Sequence, residues 1–299
     1  MSKFLIKQCP VCDQNLFVHS LTTTDFFISG EEFEIKQCTG CGLKFTANSE
    51  DEDGIEKYYN SEDYISHSNT GKGIINSLYH LIRRYMLNRK RKIVERITDK
   101  KNGKLLDIGA GTAYFLMKMK NHGWTVTGTE KNAEARKLAK NKFGVDLHSP
   151  EAIFEMPSEE YDTITLWHVL EHIHRINENM ETFSRLLKPE GKLIIAVPNR
   201  SSYDARHYRK YWAAWDVPRH IWHFSPFQIQ ILGKKHKFNL IRTYNMPFDS
   251  FYISILSEKY KKSKFPLLKG LLFGKLSWLI GLSGEDRGSS VIYVFEKQE

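Results

Sequence analysis

His168-Val-Leu-Glu-His172 sets two imidazoles and a carboxylate within five residues. On a helical start, positions 168, 171 and 172 share one face, because side chains three and four apart are neighbours. Such a set can move a proton, since imidazole titrates near neutrality. It can equally hold a divalent cation, and ligation this rich in nitrogen suits zinc, iron or manganese. Further along, Tyr211-Trp-Ala-Ala-Trp-Asp-Val-Pro-Arg-His-Ile-Trp-His-Phe-Ser225 gathers Trp212, Trp215, Trp222, Arg219, His220 and His223 in one short stretch. Arg219 is suited to a bidentate grip on a phosphate or carboxylate, and His220 is a second candidate for base or metal ligand. Trp212, Trp215, Arg219 and His223 are therefore the expected substrate contacts. The alternative is that the aromatics form a satellite core and Ser225-Pro226 caps the next helix.

The four cysteines fall in two pairs, Cys9-Pro-Val-Cys12 and Cys38-Thr-Gly-Cys41, with 25 residues between them. Each spacing lets two thiolates reach one tetrahedral ion, and Gly40 and Gly42 permit the tight turn beneath it. The intervening chain, with Phe26-Phe-Ile and Phe33-Glu-Ile as strand-like pieces, suffices for a small hairpin structure. A zinc ribbon over residues 1–50 is expected, its metal structural because four thiolates leave no position for water. Disulfides fit poorly in a chain without export features, which is expected in a reducing compartment.

These groups need a scaffold, and the run Lys104-Leu-Leu-Asp-Ile-Gly-Ala-Gly-Thr-Ala-Tyr-Phe-Leu116 supplies its beginning. It reads as a buried strand ending on Asp107, a turn through Gly109 and Gly111, and a helix. Glycine at such a turn allows positive φ or the close approach of a ligand, and amides at a helix start favour a polar or anionic group. Ala113 and Tyr114 stand where a dinucleotide fingerprint would space its third glycine. The next apolar strand ends at Glu130, about 20 residues past the turn, where an acid accepts ribose hydroxyls. A third segment lies near Val145 to Leu147. Tyr161-Asp-Thr-Ile-Thr-Leu-Trp167 follows, and then, beyond a helix, Lys192-Leu-Ile-Ile-Ala-Val-Pro-Asn199. Apolar strands alternating with helical patterns predict a parallel sheet covered on both faces.

From Lys104 to Asn199, including the Leu187-Lys-Pro-Glu-Gly191 turn, this ordered series resembles the class I S-adenosylmethionine-dependent methyltransferases. The resemblance implies a Rossmann-like α/β fold with a mostly parallel seven-stranded sheet. It also implies a cofactor set in which Gly109, Ala110 and Gly111 approach the methionine part, Asp107 organises its amino group and Glu130 binds the ribose. Lys131, Trp167 and His168 complete that set. The His168–His172 element is similar to the acidic-x-x-Glu-His element of ubiquinone-pathway O-methyltransferases and small-RNA 2′-O-methyltransferases, which can hold a divalent cation. Here His168 replaces the first acid, so His168, Glu171 and His172 are read as general base, second metal site or cofactor contact. His168, Glu171, His172 and His220 form the expected catalytic group. Pro218-Arg-His-Ile-Trp-His-Phe-Ser225 resembles an element of a large bacterial methyltransferase group that includes polysaccharide- and lipid-modifying enzymes.

At 299 residues, with 41% hydrophobic and 26% charged residues, the chain has room for one large core and a small accessory module. Residues 51–299 are assigned to the catalytic domain, with N-terminal helices at 55–98 and an insertion at about 250–285. The net charge of +9 favours anionic partners. It clusters in Arg83-Arg84 with Arg89-Lys-Arg-Lys92, and again from Lys259 to Lys264. No run of about 18 uncharged apolar residues exists, so no spanning helix is expected, and the chain is placed in the cytoplasm. Tyr58, Tyr59 and Tyr64 are candidates to cover a sulfonium through cation–π contact, or else to pack the interface between modules. Lysines beside the Leu/Phe/Trp-rich stretch 259–282 suit peripheral membrane contact, with a lid, a dimer face or a core role as the alternatives. Ser290-Val-Ile-Tyr-Val-Phe295 reads as a final antiparallel edge strand.

Together these features favour methylation of an oxygen or carbon on a small or lipid-linked acceptor, sugar- or phenol-like. An RNA methyltransferase gripping phosphates with the ribbon and basic helix is the alternative, and nucleic acid is the less favoured partner. A cofactor-binding scaffold without catalysis is the second alternative.

Overall fold

The structure, a computed structural model, describes the backbone of residues 3–59 and 74–298 and the side chains of 3–59 and 80–298. Five short strands open the chain: β1 (Lys3–Phe4), β2 (Phe17–Thr24), β3 (Glu32–Cys38), β4 (Lys44–Thr46) and β5 (Ser49–Glu50). β3 alternates, burying Phe33 and Ile35 while Glu32 stays exposed, the period of a strand with one face on a core. Its hairpin with β2 is closed by Asp25, whose carboxylate accepts the amides of Phe27, Ile28 and Ser29 at 3.1, 3.2 and 3.0 Å.

The remainder alternates helix and strand: α1 (Ile74–Thr98), β6 (Lys104–Ile108), α2 (Tyr114–Lys120), β7 (Thr125–Thr129), α3 (Ala133–Phe143), β8 (Tyr161–Trp167), α4 (Ile176–Leu186) and β9 (Leu187–Pro198). Then come α5 (Tyr203–Tyr208), β10 (Trp222–His223), α6 (Pro226–Lys235), β11 (Phe238–Asn245), α7 (Asp249–Tyr260), α8 (Pro266–Gly281) and β12 (Ser290–Lys297). β8 is buried from Tyr161 to Leu166, as a parallel strand covered on both faces must be. α4 presents Ile176, Met180, Phe183 and Leu186 to the core, the stripe of an amphipathic helix. α6 begins with a capping box between Ser225 and Gln228 and Pro226 in its first turn, as the Ser-Pro pair predicts.

The main sheet has the order β11-β12-β9-β8-β6-β7. β7, β6, β8 and β9 run parallel, while β12 and β11 are antiparallel additions. Among the described residues this is six strands rather than the expected seven. The segment near Val145 to Leu147 contributes one parallel bridge, Thr129 to His148, and Pro150 then starts a 3-10 turn. β12 is antiparallel as expected but interior, since β11 covers its outer side and takes the edge.

The N-terminal module does not stand apart. β10 pairs antiparallel with β4, Trp222 opposite Phe45 and His223 opposite Lys44. The cysteines, Leu43 and Phe45 share one continuous apolar core with Leu106, Ile164, Leu193 and Phe224. The loop after β9 thus completes the small sheet and brings residues near 220 beside the ends of the parallel strands.

Candidate functional site

The turn after β6 uses positive φ at Gly109 (67°) and Gly111 (54°). A Cβ at Gly109 would lie 2.5 Å from Val169 Cγ2, whereas at Gly111 it would enter open space. That opening is a cradle a side chain would fill. Glu130, just beyond β7, is held over it: Oε2 accepts the Gly111 amide at 2.8 Å and Oε1 the Asn132 amide at 2.9 Å. Each oxygen keeps a second lone pair for a hydroxyl. Asp107, buried at the end of β6, accepts the Thr165 hydroxyl at 2.6 Å. Burial pushes its carboxyl up to about 7, against the pull of that hydrogen bond and of the Lys90 ammonium. These residues fit the methionine and ribose ends of S-adenosylmethionine, a cation beside Asp107 being what would keep it ionised.

At the end of β8 the backbone of His168 turns through a positive φ of 59°. This aims the ring between two carboxylates. Nδ1 lies 3.3 Å from Glu171 Oε1 and Nε2 lies 3.1 Å from Asp249 Oδ2, in the first turn of α7. Burial alone would lower the imidazole, but hydrogen bonds and charge from Asp249 and Glu171 hold it up at about 10. Both ring nitrogens of His168 are thus engaged by carboxylates, and it stands apart from the group of side chains that could share a cation, unlike the set expected from spacing.

Its place in the convergent set is taken by His220. Ligand atoms of Glu171, His172 and His220 lie within 4.8 Å of one another, and the two histidine rings meet edge to face at 4.6 Å. His172 Nδ1 stands 2.9 Å from the Arg219 carbonyl and His220 Nδ1 2.9 Å from the Ala214 carbonyl. Nδ1 must donate to a carbonyl, which leaves Nε2 of each ring free of that bond, to accept or to ligate. Burial, then the neighbouring His220, push the His172 imidazole down to about 4. Glu171 is fully buried and its Oε2 has no hydrogen-bond partner among the described residues, an arrangement that costs free energy unless something completes it. The donor set fits a divalent cation of the zinc, iron or manganese type.

The cysteines also converge. A tetrahedron with metal–sulfur bonds of about 2.3 Å has edges of about 3.8 Å, and the Cys9–Cys41 and Cys12–Cys38 sulfurs are each 3.5 Å apart. All four sulfurs lie within 4.8 Å of one another. Burial pushes the Cys41 thiol up to about 11, so a thiolate there needs a cation beside it.

The four expected substrate contacts are all buried and engaged within the protein. Arg219 is 1% exposed; Nη2 donates to Asp25 Oδ1 at 2.8 Å and to Asp216 Oδ1 at 2.7 Å, leaving no free fork for a ligand. Trp212 Nε1 donates to Asp204 at 2.8 Å and Trp215 Nε1 to the Arg209 carbonyl at 2.7 Å. His223, on β10, lies 3.0 Å from the Thr46 hydroxyl. Trp212 and Trp215 share an apolar cluster with Tyr58, Tyr208 and Ile253, as in the satellite-core alternative. Tyr58 is buried with its hydroxyl on Glu31, whereas Tyr59 Oη reaches His172 Nδ1 at 3.2 Å; Tyr64 lies outside the described residues. Lys131 Nζ donates to the Glu52 carbonyl at 2.7 Å.

Two residues of the site escape sequence reasoning. Asp249 follows Met246-Pro-Phe, a helix-start signal without a chemical one. Lys90 sits in the basic run Arg89-Lys-Arg-Lys92, yet its ammonium lies 4.4 Å from the Trp167 ring, and burial pushes it down to about 8. Arg89 beside it donates to the Asn245 carbonyl at 2.8 Å, and Arg91 pairs with Glu95. Part of the run is thus committed within the protein.

A methyltransferase-domain family model matches residues 82–243. An uncharacterised methyltransferase of Anoxybacillus flavithermus is 31% identical over 120 residues, 38% of this chain and 57% of the relative. The ubiquinone biosynthesis O-methyltransferase of Bartonella tribocorum is 29% identical over 120 residues, 38% and 44% of the two chains. The chain thus spans about half the length of these two relatives. The Pelagibacter ubique enzyme of the same name is 31% identical over 169 residues, 52% of this chain and 70% of its own. In fold, the chain is similar to an S-adenosylmethionine-dependent methyltransferase of Thermotoga maritima, with TM-score 0.51, 18% identity, and 75% and 96% of the two chains covered.

Proposed function

The chain belongs to the methyltransferase-domain family, and from that premise we propose that it methylates an oxygen or carbon of a small or lipid-linked acceptor, sugar- or phenol-like. The observation that supports this most is Glu171 with its unpartnered Oε2 beside His172 and His220, at the strand end next to the glycine turn. S-adenosylmethionine, which Gly111 and its neighbours would hold, would supply an electrophilic methyl carbon on a sulfonium. The protein's part is alignment and the exclusion of water. Asp107 accepts from the ammonium of the methionine part, and Glu130 accepts from the ribose. His168, fixed between Glu171 and Asp249, positions Glu171. Burial depresses the His172 imidazole, and the base role is assigned to His220, whose Nε2 lies 3.8 Å from Asp216 Oδ2. A divalent cation on Glu171, His172 and His220 would instead polarise the acceptor oxygen, and the two uses of His220 exclude each other. Cys9, Cys12, Cys38 and Cys41 hold a structural zinc in this reading.

Incubation of the protein and cell extract with methyl-labelled S-adenosylmethionine tests it. Label entering the small-molecule or lipid fraction, and lost with His220→Ala, is the expected result. Label in RNA would replace the reading with the nucleic-acid alternative, and no transfer by cofactor-bound protein would favour the scaffold.

A further inference from the structure

α8 is mounted inside out. Its buried residues are Gly270, Gly274, Ser277 and Gly281, which lie on one side of the helix. This side is clamped on α7: a Cβ at Gly270 would lie 2.5 Å from Ile255 Cα, and one at Gly274 2.7 Å from Phe251 Cα. Ser277 Oγ adds a 2.8 Å hydrogen bond to the buried Asp204. The helix cannot rotate without burying larger side chains where only hydrogen fits. Its leucines are consequently forced outward: Leu268 is 69% exposed, Leu272 63% and Leu282 64%, with Leu267, Leu271 and Leu279 beside them. A surface helix ordinarily shows its polar stripe to water, and a contiguous apolar face of this kind marks a contact.

The charges around it identify the contact. Between 259 and 282 there are six lysines and no acidic residue, and all six are exposed. A second copy of the chain, meeting this face through a two-fold axis, would set lysine against lysine. Anionic lipid is complementary to both features, because leucines enter the acyl boundary while lysine stems reach up to the headgroups. With 16 residues, α8 is about 24 Å long. Among the described residues no helix is long and apolar enough to cross a membrane, so the arrangement is one of lying on the surface. We propose that α8 docks the protein on an anionic membrane surface. The hairpin is joined to the site, since Asp249 at the start of α7 holds His168, so docking would present the site next to lipid-borne material.

Sedimentation of the full chain with vesicles reads this directly, without cofactor or acceptor, so it stands or falls separately from the proposed reaction. The vesicles are phosphatidylcholine alone or with about one-third phosphatidylglycerol, the anionic lipid supplying the field that lysines sense. The expected result is partitioning at least roughly tenfold stronger onto the anionic vesicles. It should weaken in both a Leu268→Gln/Leu272→Gln variant and a Lys261→Gln/Lys262→Gln/Lys264→Gln variant, all at exposed positions, with unchanged circular dichroism. No partitioning, or equal partitioning onto both vesicles, overturns the proposal. So does a dimer in light scattering that the leucine substitutions dissolve while vesicle binding persists.

Discussion

His168 Nε2 lies 3.1 Å from Asp249 Oδ2, joining the end of the central parallel strand to the first turn of the C-terminal helical hairpin. Burial opposes charge on the imidazole, but Asp249 and Glu171 outweigh it and hold the group at about 10. A folded value above the ordinary one means the pairing contributes stability in full below about 6.5. That contribution is lost as pH rises through about 10. In Asp249→Asn, the His168 ring proton should titrate at least roughly one unit lower by NMR. The urea midpoint of the variant should also fall less steeply than that of the parent between neutrality and the upper limit. Identical titration in both proteins would contradict the ion pair.

Arg219 predicts a stability phenotype where its residue type suggested a binding one. Arg219→Met leaves the buried Asp25 with its amide and hydroxyl donors but no cation, and breaking a buried pair costs about 3–5 kcal/mol. Urea denaturation should register that loss. An unchanged midpoint with a raised KM for the acceptor would restore the substrate role.

The cysteine cluster should hold one zinc per chain, removable by chelation after the thiols are modified. Cys38→Ser should abolish it. Because the cluster shares a core with the main sheet, the loss should lower one common melting transition rather than an early separate one. A loss of about 3 kcal/mol corresponds to about 5 °C in a protein of this size, at roughly 2.1 cal/mol/K of unfolding entropy per residue. Stoichiometric zinc in Cys38→Ser with an unchanged Tm would refute the assignment.

What could be read from sequence was what depends on neighbours in the chain. The glycine turn, the acid at Glu130, the buried run of β8 and the cysteine pairs are local patterns with local causes. What could not be read depended on partners far away. Arg219 and Asp25 are 194 residues apart, so nothing in the aromatic loop discloses that its guanidinium is already neutralised. His168 shares a helical face with Glu171 and His172 only if the backbone continues as a helix, and the positive φ at that residue breaks the assumption. Lys90 was hidden among like charges, since a basic run shows no preferred side. The leucines of α8 were visible as composition, but only the packing of Gly270 and Gly274 on α7 reveals which way they point.

His220 separates the two chemistries left open at the trio. In His220→Ala, kcat should fall about 100-fold with the affinity for S-adenosylmethionine unchanged. If a cation is held, elemental analysis should show a second bound metal in the parent and not in the variant. If His220 acts as the base, metal content should be the same in both. Full activity in the variant would remove His220 from the site.

The central claim is that the turn at Gly109–Gly111 and Glu130 form the cofactor cradle. Calorimetric titration of S-adenosylmethionine into the parent and Gly111→Arg tests it most directly, because a side chain at residue 111 enters open space rather than the core. One-to-one binding by the parent and none by the folded variant is the expected result. Equal binding by both, or none by a folded, zinc-loaded parent, would contradict it.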